Sequence, residues 1–175
     1  SLFRELVMKD TIITRLRSLA VATLSDGYDQ IAGKRRFLDF DIKARVNARK
    51  IVGIAATVLE VPNDEQHKPE LAFDVIDEAP AGSVIVISNG GDANTAIWGE
   101  LMNAGAVARG HEAVVMDGGT RDVALIRRDT DFPVYARSVV PSSSIGRTMT
   151  IARDIPIEVG SVVIHPGDYI VGDED

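Results

Sequence analysis

Cysteine is absent from this 175-residue chain, and its absence removes disulfide frameworks, thiolate zinc sites, iron–sulfur clusters and cysteine nucleophiles together. Histidine is scarce: His67, His111 and His165 are the three, and no two share a metal-ligand spacing. A metal would have to rest on oxygen, which favours magnesium, manganese or calcium over zinc. Long apolar runs are missing too. None reaches the roughly 18 residues that cross a bilayer, so no membrane partner is expected. The opening SLFRELVMKD carries early charges of both signs and no apolar h-region, which does not read as a signal peptide, and cytoplasmic residence is the expectation. A start at Ser1 rather than Met points to a trimmed chain. Positive charge is in short supply, 19 Lys+Arg against 26 Asp+Glu, for a net charge of -7 and a pI near 5.0. A protein that tracks a phosphate backbone shows a basic face, so nucleic acid is not an expected partner. What remains is ordinary: 45% apolar and 26% charged residues, enough for one substantial core. One domain over 1–175 is expected, without repeats or linkers.

Apolar residues at Leu6, Ile13, Leu16 and Leu19 predict a helix within 2–19. Ser25-Asp26 reads as the cap of a short helix ending near Gly33. Residues 44–59, rich in Val, Ile and Ala, predict strands around Gly53, and VPNDEQHKPE (61–70) predicts a polar, loosely ordered loop. The second half is more regular. A turn at Pro80-Ala81-Gly82 precedes a buried strand over 83–88, then Asn89-Gly90-Gly91, a helix over 93–108 and a strand over 113–116. Asp117-Gly118-Gly119 breaks that strand before a helix over 122–128 and a strand over 132–136. This alternation implies an α/β fold with a parallel, helix-covered sheet. The short β runs at both ends, with hairpins after Ile151, imply a second sheet beside it.

Two glycine-marked strand ends each run into a helix start, one delivering Gly99-Glu100-Leu101-Met102 and the other Thr120-Arg121-Asp122. Residues 101 through 120 separate Glu100 from Arg121, the length of one helix plus one strand. The chain can therefore bring both segments to one crevice outside the carboxyl ends of the strands. A helix starting near Gly99 leaves the amides of Leu101 and Met102 open to an anion. Arg121 offers a planar, charged fork suited to a carboxylate, and Asp122 a hard oxygen ligand. Each residue also has a plainer reading. Arg-Asp at a helix start is commonly a surface cap and ion pair, Glu100 a solvated helix residue, and Gly99 a close-packing position. Gly118-Gly119 reads as a tight turn, Trp98 as core, and His165-Pro166-Gly167-Asp168 as a β-turn. Asp173-Glu174-Asp175 reads as a solvated acidic end. Asn89-Gly90-Gly91 lacks the third glycine of a dinucleotide fingerprint, and no phosphate-loop lysine follows it. Ser142-Ser143-Ser144 has no nearby histidine and no G-x-S-x-G elbow, which argues against a serine hydrolase.

The stretch W-G-E-L-M (98–102), its spacing to D-G-G-T-R-D (117–122), F-P-V-Y-A-R (132–137) and H-P-G-D-Y-I-V-G-D-E-D (165–175) together resemble one family. It comprises class II 4-hydroxy-4-methyl-2-oxoglutarate / 4-carboxy-4-hydroxy-2-oxoadipate aldolases and the related regulator of ribonuclease activity A. Ser25-Asp26 and the turn before residue 84 fit as well, so the resemblance spans nearly the whole chain. The resemblance implies a compact αββα sandwich of the swivelling β/β/α type, assembled as a homotrimer or a dimer of trimers, with its site between subunits. It implies that Gly99, Glu100, Leu101 and Met102 line a pyruvyl group whose carboxylate the backbone amides hold. Arg121 would bind substrate, and Asp122 would anchor Mg²⁺ or Mn²⁺ largely through waters.

The implied activity is that of a carbon–carbon lyase acting on small 2-oxo acids. It is a divalent-metal-dependent pyruvate aldolase cleaving 4-hydroxy-2-oxo dicarboxylic acids, with oxaloacetate decarboxylase as a side activity and Glu100, Arg121 and Asp122 as its catalytic residues. The alternative is a non-catalytic regulator that binds a ribonuclease or helicase. The aldolase chemistry is coherent: the C4 hydroxyl must lose its proton, the pyruvate enolate needs an electron sink, and Arg121 neutralises developing charge. No Schiff-base lysine is required, and Lys34, Lys43 and Lys50 fall in polar or unplaced segments. Two departures stand out. Glu100 occupies a position where the family's aldolases commonly carry Asp, moving the carboxylate by about one C–C bond. The family also continues past D-E-D into another strand and sometimes a helix, for which this sequence carries no counterpart.

Overall fold

The structure is a computed structural model that describes residues 2–33 and 35–175; the candidate amine at Lys34 lies outside the described residues. Its centre is a set of short, continuous apolar runs. β3 (Val84–Ser88), β5 (Ala113–Met116) and β7 (Val134–Ala136) are buried at every position, the signature of strands covered on both faces. They pair in parallel, β3 with β5 and β5 with β7, and the twelve-residue β2 (Ile51–Pro62) lies parallel to β3. Antiparallel strands finish the edges. β1 (Lys43–Val46) pairs β7, β12 (Tyr169–Gly172) pairs the first part of β2, and β9 (Thr148–Arg153) pairs its last part. β2 must pass very close to the turn at 80–82, and Gly53 allows it, since a Cβ there would sit 2.6 Å from the Gly82 carbonyl oxygen.

One face of the sheet carries α3 (Glu70–Glu78), α4 (Glu100–Ala108) and α5 (Val123–Asp129), enclosing Val58, Ile76, Ile85, Ile87, Trp98 and Met116. The other face packs against the hairpin of β10 (Ile157–Val159) and β11 (Val162–Ile164), with Leu38 and Ile42 at its margin. Each fully buried Ile or Val contributes about 1.5–3 kcal/mol relative to exposure, so these two layers carry the stability. The N-terminal helices α1 (Leu2–Arg17) and α2 (Val21–Ala32) bury no residue. Among the described residues no helix is long and apolar enough to cross a membrane.

The mixed α/β architecture and the parallel, helix-covered sheet agree with the sequence reading. Five local expectations need correction. Of the end segments, only the hairpin expected after Ile151 forms a separate sheet beside the main one, β10–β11, whereas β1, β9 and β12 join the main sheet. A third sheet, unanticipated, comes from the middle of the chain, where β4 (Ala96–Trp98), β6 (Gly119–Thr120) and β8 (Ser138–Val139) pair in parallel just beyond the ends of β3, β5 and β7. Residues 93–108 are therefore not one helix; pairing with β6 pulls Ala96–Trp98 into a strand, and α4 starts only at Glu100. α2 starts after Ala20, so Ser25-Asp26 stand inside it, although Gly33 ends it as expected in the left-handed region at φ 61°. The loop expected over 61–70 narrows to 63–69, followed by the unanticipated α3 with Ala72, Val75 and Ile76 buried at helical spacing. The acidic end is partly tied down, since Asp173 accepts the Val21 amide at 2.9 Å and lies 3.8 Å from Lys50 Nζ.

Candidate active site

The small β4–β6–β8 sheet positions the site. Trp98 of β4 pairs with Thr120 of β6, and its carbonyl accepts the Arg121 amide at 3.0 Å and the Thr120 hydroxyl at 3.2 Å. That pairing sets Gly99 against Arg121 and Asp122, so the two segments singled out by sequence do meet. Asp122 adopts the left-handed conformation, φ 59° and ψ 26°, which Asp tolerates better than most residues. Its Oδ2 accepts the Glu100 amide at 3.1 Å and lies 3.7 Å from Arg121 Nε. Asp122 thus caps the neighbouring helix α4 rather than its own α5. Gly99 is extended, at φ -154°, so glycine is not needed there for backbone freedom. A Cβ at Gly99 would sit 2.7 Å from Asp122 Oδ2, and glycine is what lets the carboxylate in.

The first donor inside α4 is the Asn103 amide, bonded to the Gly99 carbonyl at 3.0 Å. The amides of Leu101 and Met102 therefore precede the helical ladder and point outward at its positive end. Arg121 keeps 42% of its side chain exposed and Asp122 35%, with one weak contact between them. Glu100 is exposed, and its carboxylate reaches Arg128 electrostatically, after the stronger hold of Asp129. The Leu101 and Met102 side chains lie elsewhere, lining an apolar cleft of about 280 Å³ with Phe73 and Ile76 between α3 and α4. Leu101 itself is 76% exposed. Lys43 lies on the edge strand β1 and Lys50 stands against Asp173.

Behind the site, Trp98 stacks on Phe132 with centroids 6.0 Å apart, which places it in the core as the plainer reading held. Its Nε1 donates to Asn103 Oδ1 at 3.3 Å, and Asn103 Nδ2 donates to Thr130 Oγ1 at 3.1 Å. This buried chain ties the start of α4 to the end of α5. Sequence reasoning missed Asn103; the available signal was an amide between Met102 and Ala106 on an inward helix face. Gly118 and Gly119 are close-packing positions rather than a turn, with a Cβ at Gly118 falling 2.6 Å from Asn89 Nδ2 and one at Gly119 2.7 Å from Val140 Cγ2. The turn at 165–168 is as expected, with the Asp168 amide bonded to the His165 carbonyl.

A second arginine sits close by in sequence, just beyond β7. Arg137 donates to the Asp117 carbonyl at 2.9 Å, to Asp41 Oδ1 at 2.6 Å and to Asp39 Oδ2 at 3.0 Å. The Arg137 guanidinium and the Ser161 hydroxyl hold the Asp39 carboxyl below the usual range. Burial pushes the Asp117 carboxyl up, against the Asn89 amide and Arg137.

Among the described residues no three His, Cys, Asp or Glu side chains cluster as a metal cage. The donor set fits something looser: one carboxylate, with Asp122 Oδ2 held by the Glu100 amide and Oδ1 left open, beside amides and a guanidinium that take anionic oxygens. A hard cation completed by water and substrate oxygens suits that arrangement.

Residues 21–175 match the family model RraA-like: Aldolase/RraA. The chain is 32% identical over 163 residues to a Halalkalibacterium halodurans protein named "Putative 4-hydroxy-4-methyl-2-oxoglutarate aldolase", covering 93% of this chain and 73% of that one. It is 30% identical over 174 residues to the Legionella pneumophila protein DlpA, covering 97% of this chain but only 28% of that much longer protein. Among solved structures, an uncharacterized Pseudomonas syringae protein superposes with a TM-score of 0.82 at 31% identity, covering 94% of this chain and 73% of that one. Streptomyces coelicolor RraAS2, described as an unusual member of the RNase ES inhibitor RraA protein family, gives 0.81 at 25% identity, covering 94% and 81%.

Proposed function

The chain belongs to the RraA-like Aldolase/RraA family, and on that premise we propose that it is a divalent-metal-dependent lyase that splits 4-hydroxy-2-oxo dicarboxylic acids to release pyruvate, with oxaloacetate decarboxylation at the same site. One observation supports this above the rest: the open amides of Leu101 and Met102, the Arg121 fork and the Asp122 carboxylate converge across Gly99. The substrate carboxylate takes the two amides, which stand at the positive end of α4. Arg121 binds the 2-oxo end and neutralises charge developing on its oxygen, a contact worth about 2–4 kcal/mol if it matches a typical preorganised donor. Asp122 would hold Mg²⁺ or Mn²⁺, largely through waters, and the cation would supply Lewis acidity toward the 2-oxo group. Glu100, exposed at the same helix start, accepts the C4 hydroxyl proton directly or across a water.

A closed homo-oligomer, trimer or dimer of trimers, belongs to the same proposal. Leu2, Phe3, Leu6, Val7 and Met8 are all exposed along α1, and Leu101 is exposed beside the site, surfaces that suit a neighbouring copy. The deciding experiment is a coupled assay of pyruvate release from 4-hydroxy-4-methyl-2-oxoglutarate and from oxaloacetate, with and without chelator. Release that Mg²⁺ or Mn²⁺ restores is expected, and its absence with every substrate overturns the reading. A second reading, binding and masking of a ribonuclease, draws on the likeness to the Streptomyces RraA protein and the acidic charge. It predicts instead slowed RNA cleavage when this protein is added to such a nuclease.

A further inference from the structure

Glu60 is the least expected residue in the core. It is 1% exposed, on the same inward face of β2 as Ala56 and Val58, at a bulge between Leu59 and Glu60 where β9 pairs. Its Oε2 meets Thr148 Oγ1 at 2.8 Å, while its Oε1 is buried with no partner among the described residues. Leu59 pairs with Ser88, so one further step along the parallel register sets Glu60 beside Asn89. The Asn89 carboxamide is already committed to both backbone groups of Asp92.

Among the described residues no cationic side chain pairs with Glu60. α3 brings Glu70, Asp74, Asp77 and Glu78, all acidic. On β9, Arg153 turns to Glu78 and Asp154, and before it Arg147 donates to the Ser143 carbonyl. In the loop after β2, His67 stands against Glu65, Asp64 adds a further negative charge, and Lys68 is exposed to solvent. Asp92 spends its carboxylate on Thr95 and the Asn94 amide. An ionised, unpaired carboxylate here would be very costly, whereas the neutral acid is tolerable. Its Oε2 accepts the Thr148 hydroxyl, a bond available to the neutral acid and stronger to the carboxylate, so Thr148 offsets the cost of burying the ion only in part.

The Glu60–Thr148 bond stands at the root of a longer arm. Thr148 and Arg147 close a turn onto the Ser144 carbonyl, and the Asn63 amide bonds the Arg147 carbonyl at 2.8 Å. In the same loop Ser142 Oγ donates to the Asn94 carbonyl at 2.6 Å and accepts the Ala96 amide at 3.1 Å, clasping the start of β4. β4 in turn delivers Gly99. A cleft of about 650 Å³ opens over this seam, between Pro62–Asp64, Asp92, Thr95 and Gly146–Arg147.

We propose that Glu60 is a proton-operated latch: as a neutral acid it stays packed against Thr148 and keeps the 142–148 loop clasped on β4, and on losing its proton to solvent the buried carboxylate, one oxygen of which has no partner among the described residues, is drawn toward water against the pull of the Thr148 hydroxyl, loosening that loop and the β2–β9 seam. Burial pushes the Glu60 carboxyl up to about 7, with Thr148 opposing only in part, so the latch works near neutral pH. This holds whether or not the aldolase reading does, because its readouts need no substrate.

The test is a carboxyl-carbon NMR titration of Glu60 in the full chain, joined to amide exchange of 58–62 and 142–148 between pH 6 and pH 8. A midpoint near neutrality is expected, with several-fold loss of protection at those amides beyond the intrinsic pH dependence of exchange. Glu60→Gln should abolish that extra loss, and Thr148→Val should move the wild-type midpoint to higher pH, because the bond that favours ionisation is gone. A midpoint in the ordinary carboxylate range overturns the latch, as does the same loss of protection in Glu60→Gln. If Glu60→Gln does not fold, the wild-type titration and Thr148→Val still decide.

Discussion

Arg137 and Arg121 stand at the ends of neighbouring strands, and each has aspartates within reach. Arg137 is only 13% exposed and spends its guanidinium on Asp39, Asp41 and the Asp117 carbonyl. Arg121 leaves much of its side chain in solvent, and among the described residues its one acidic contact, to Asp122, is long. A guanidinium with all three nitrogens engaged by the protein is a strut, and one left mostly in solvent is available to something else. The same Arg–Asp pairing thus yields opposite roles, and what separates them is partner geometry rather than residue type.

Removing the strut has the largest expected effect. Arg137→Ala strips the counter-charge from Asp41, leaves Asp39 with Arg35 alone, and unties both aspartates from the Asp117 carbonyl, so it should destabilise the fold more than the other substitutions below. Calorimetry should show a clear fall in melting temperature, and an unchanged one would make Arg137 no strut. Asp39 should titrate higher in that variant, having lost its main stabiliser.

Next comes the pH dependence of stability. The Glu60 carboxyl rises in the fold from an ordinary value of 4.5 to about 7, so its contribution is complete below about 4.5 and is lost as pH climbs through 7. That shift corresponds to about 3 kcal/mol, and denaturant melts of wild type against Glu60→Gln between pH 5 and pH 8 should differ in slope accordingly.

Gly99→Ala should be smaller, about 1–2 kcal/mol, because the intruding Cβ meets the movable tip of Asp122 and displaces it from the Glu100 amide. Lyase activity should suffer more than stability, and a variant with wild-type kinetics would show that the Asp122 position is irrelevant. Arg121→Ala should have the least effect on folding, within about 0.5 kcal/mol, as exposed pairs do. A drop of several degrees in its melting temperature would erase the contrast with Arg137.

The parallel core was legible because β3, β5 and β7 are buried on both faces and leave unbroken apolar runs in the sequence. The Glu100-to-Arg121 spacing was legible as well, since one helix and one strand fill it. The three strands that join the site were not, because two or three residues carry no period to detect and their pairing is decided by distant partners. Nor was the bond from Asp122 to the Glu100 amide, which depends on a left-handed residue and on the missing Cβ of Gly99. Glu60 lay hidden beside the polar run at 61–70, although its alternation with Ala56 and Val58 marked an inward face.

Pyruvate release by Arg121→Ala, measured at saturating Mg²⁺ on protein shown to melt with the wild type, tests the account most directly. A loss of about 10²–10³-fold in kcat, not recovered by further Mg²⁺, is the predicted result. Release at the wild-type rate would contradict it and return Arg121 to the surface as an idle charge.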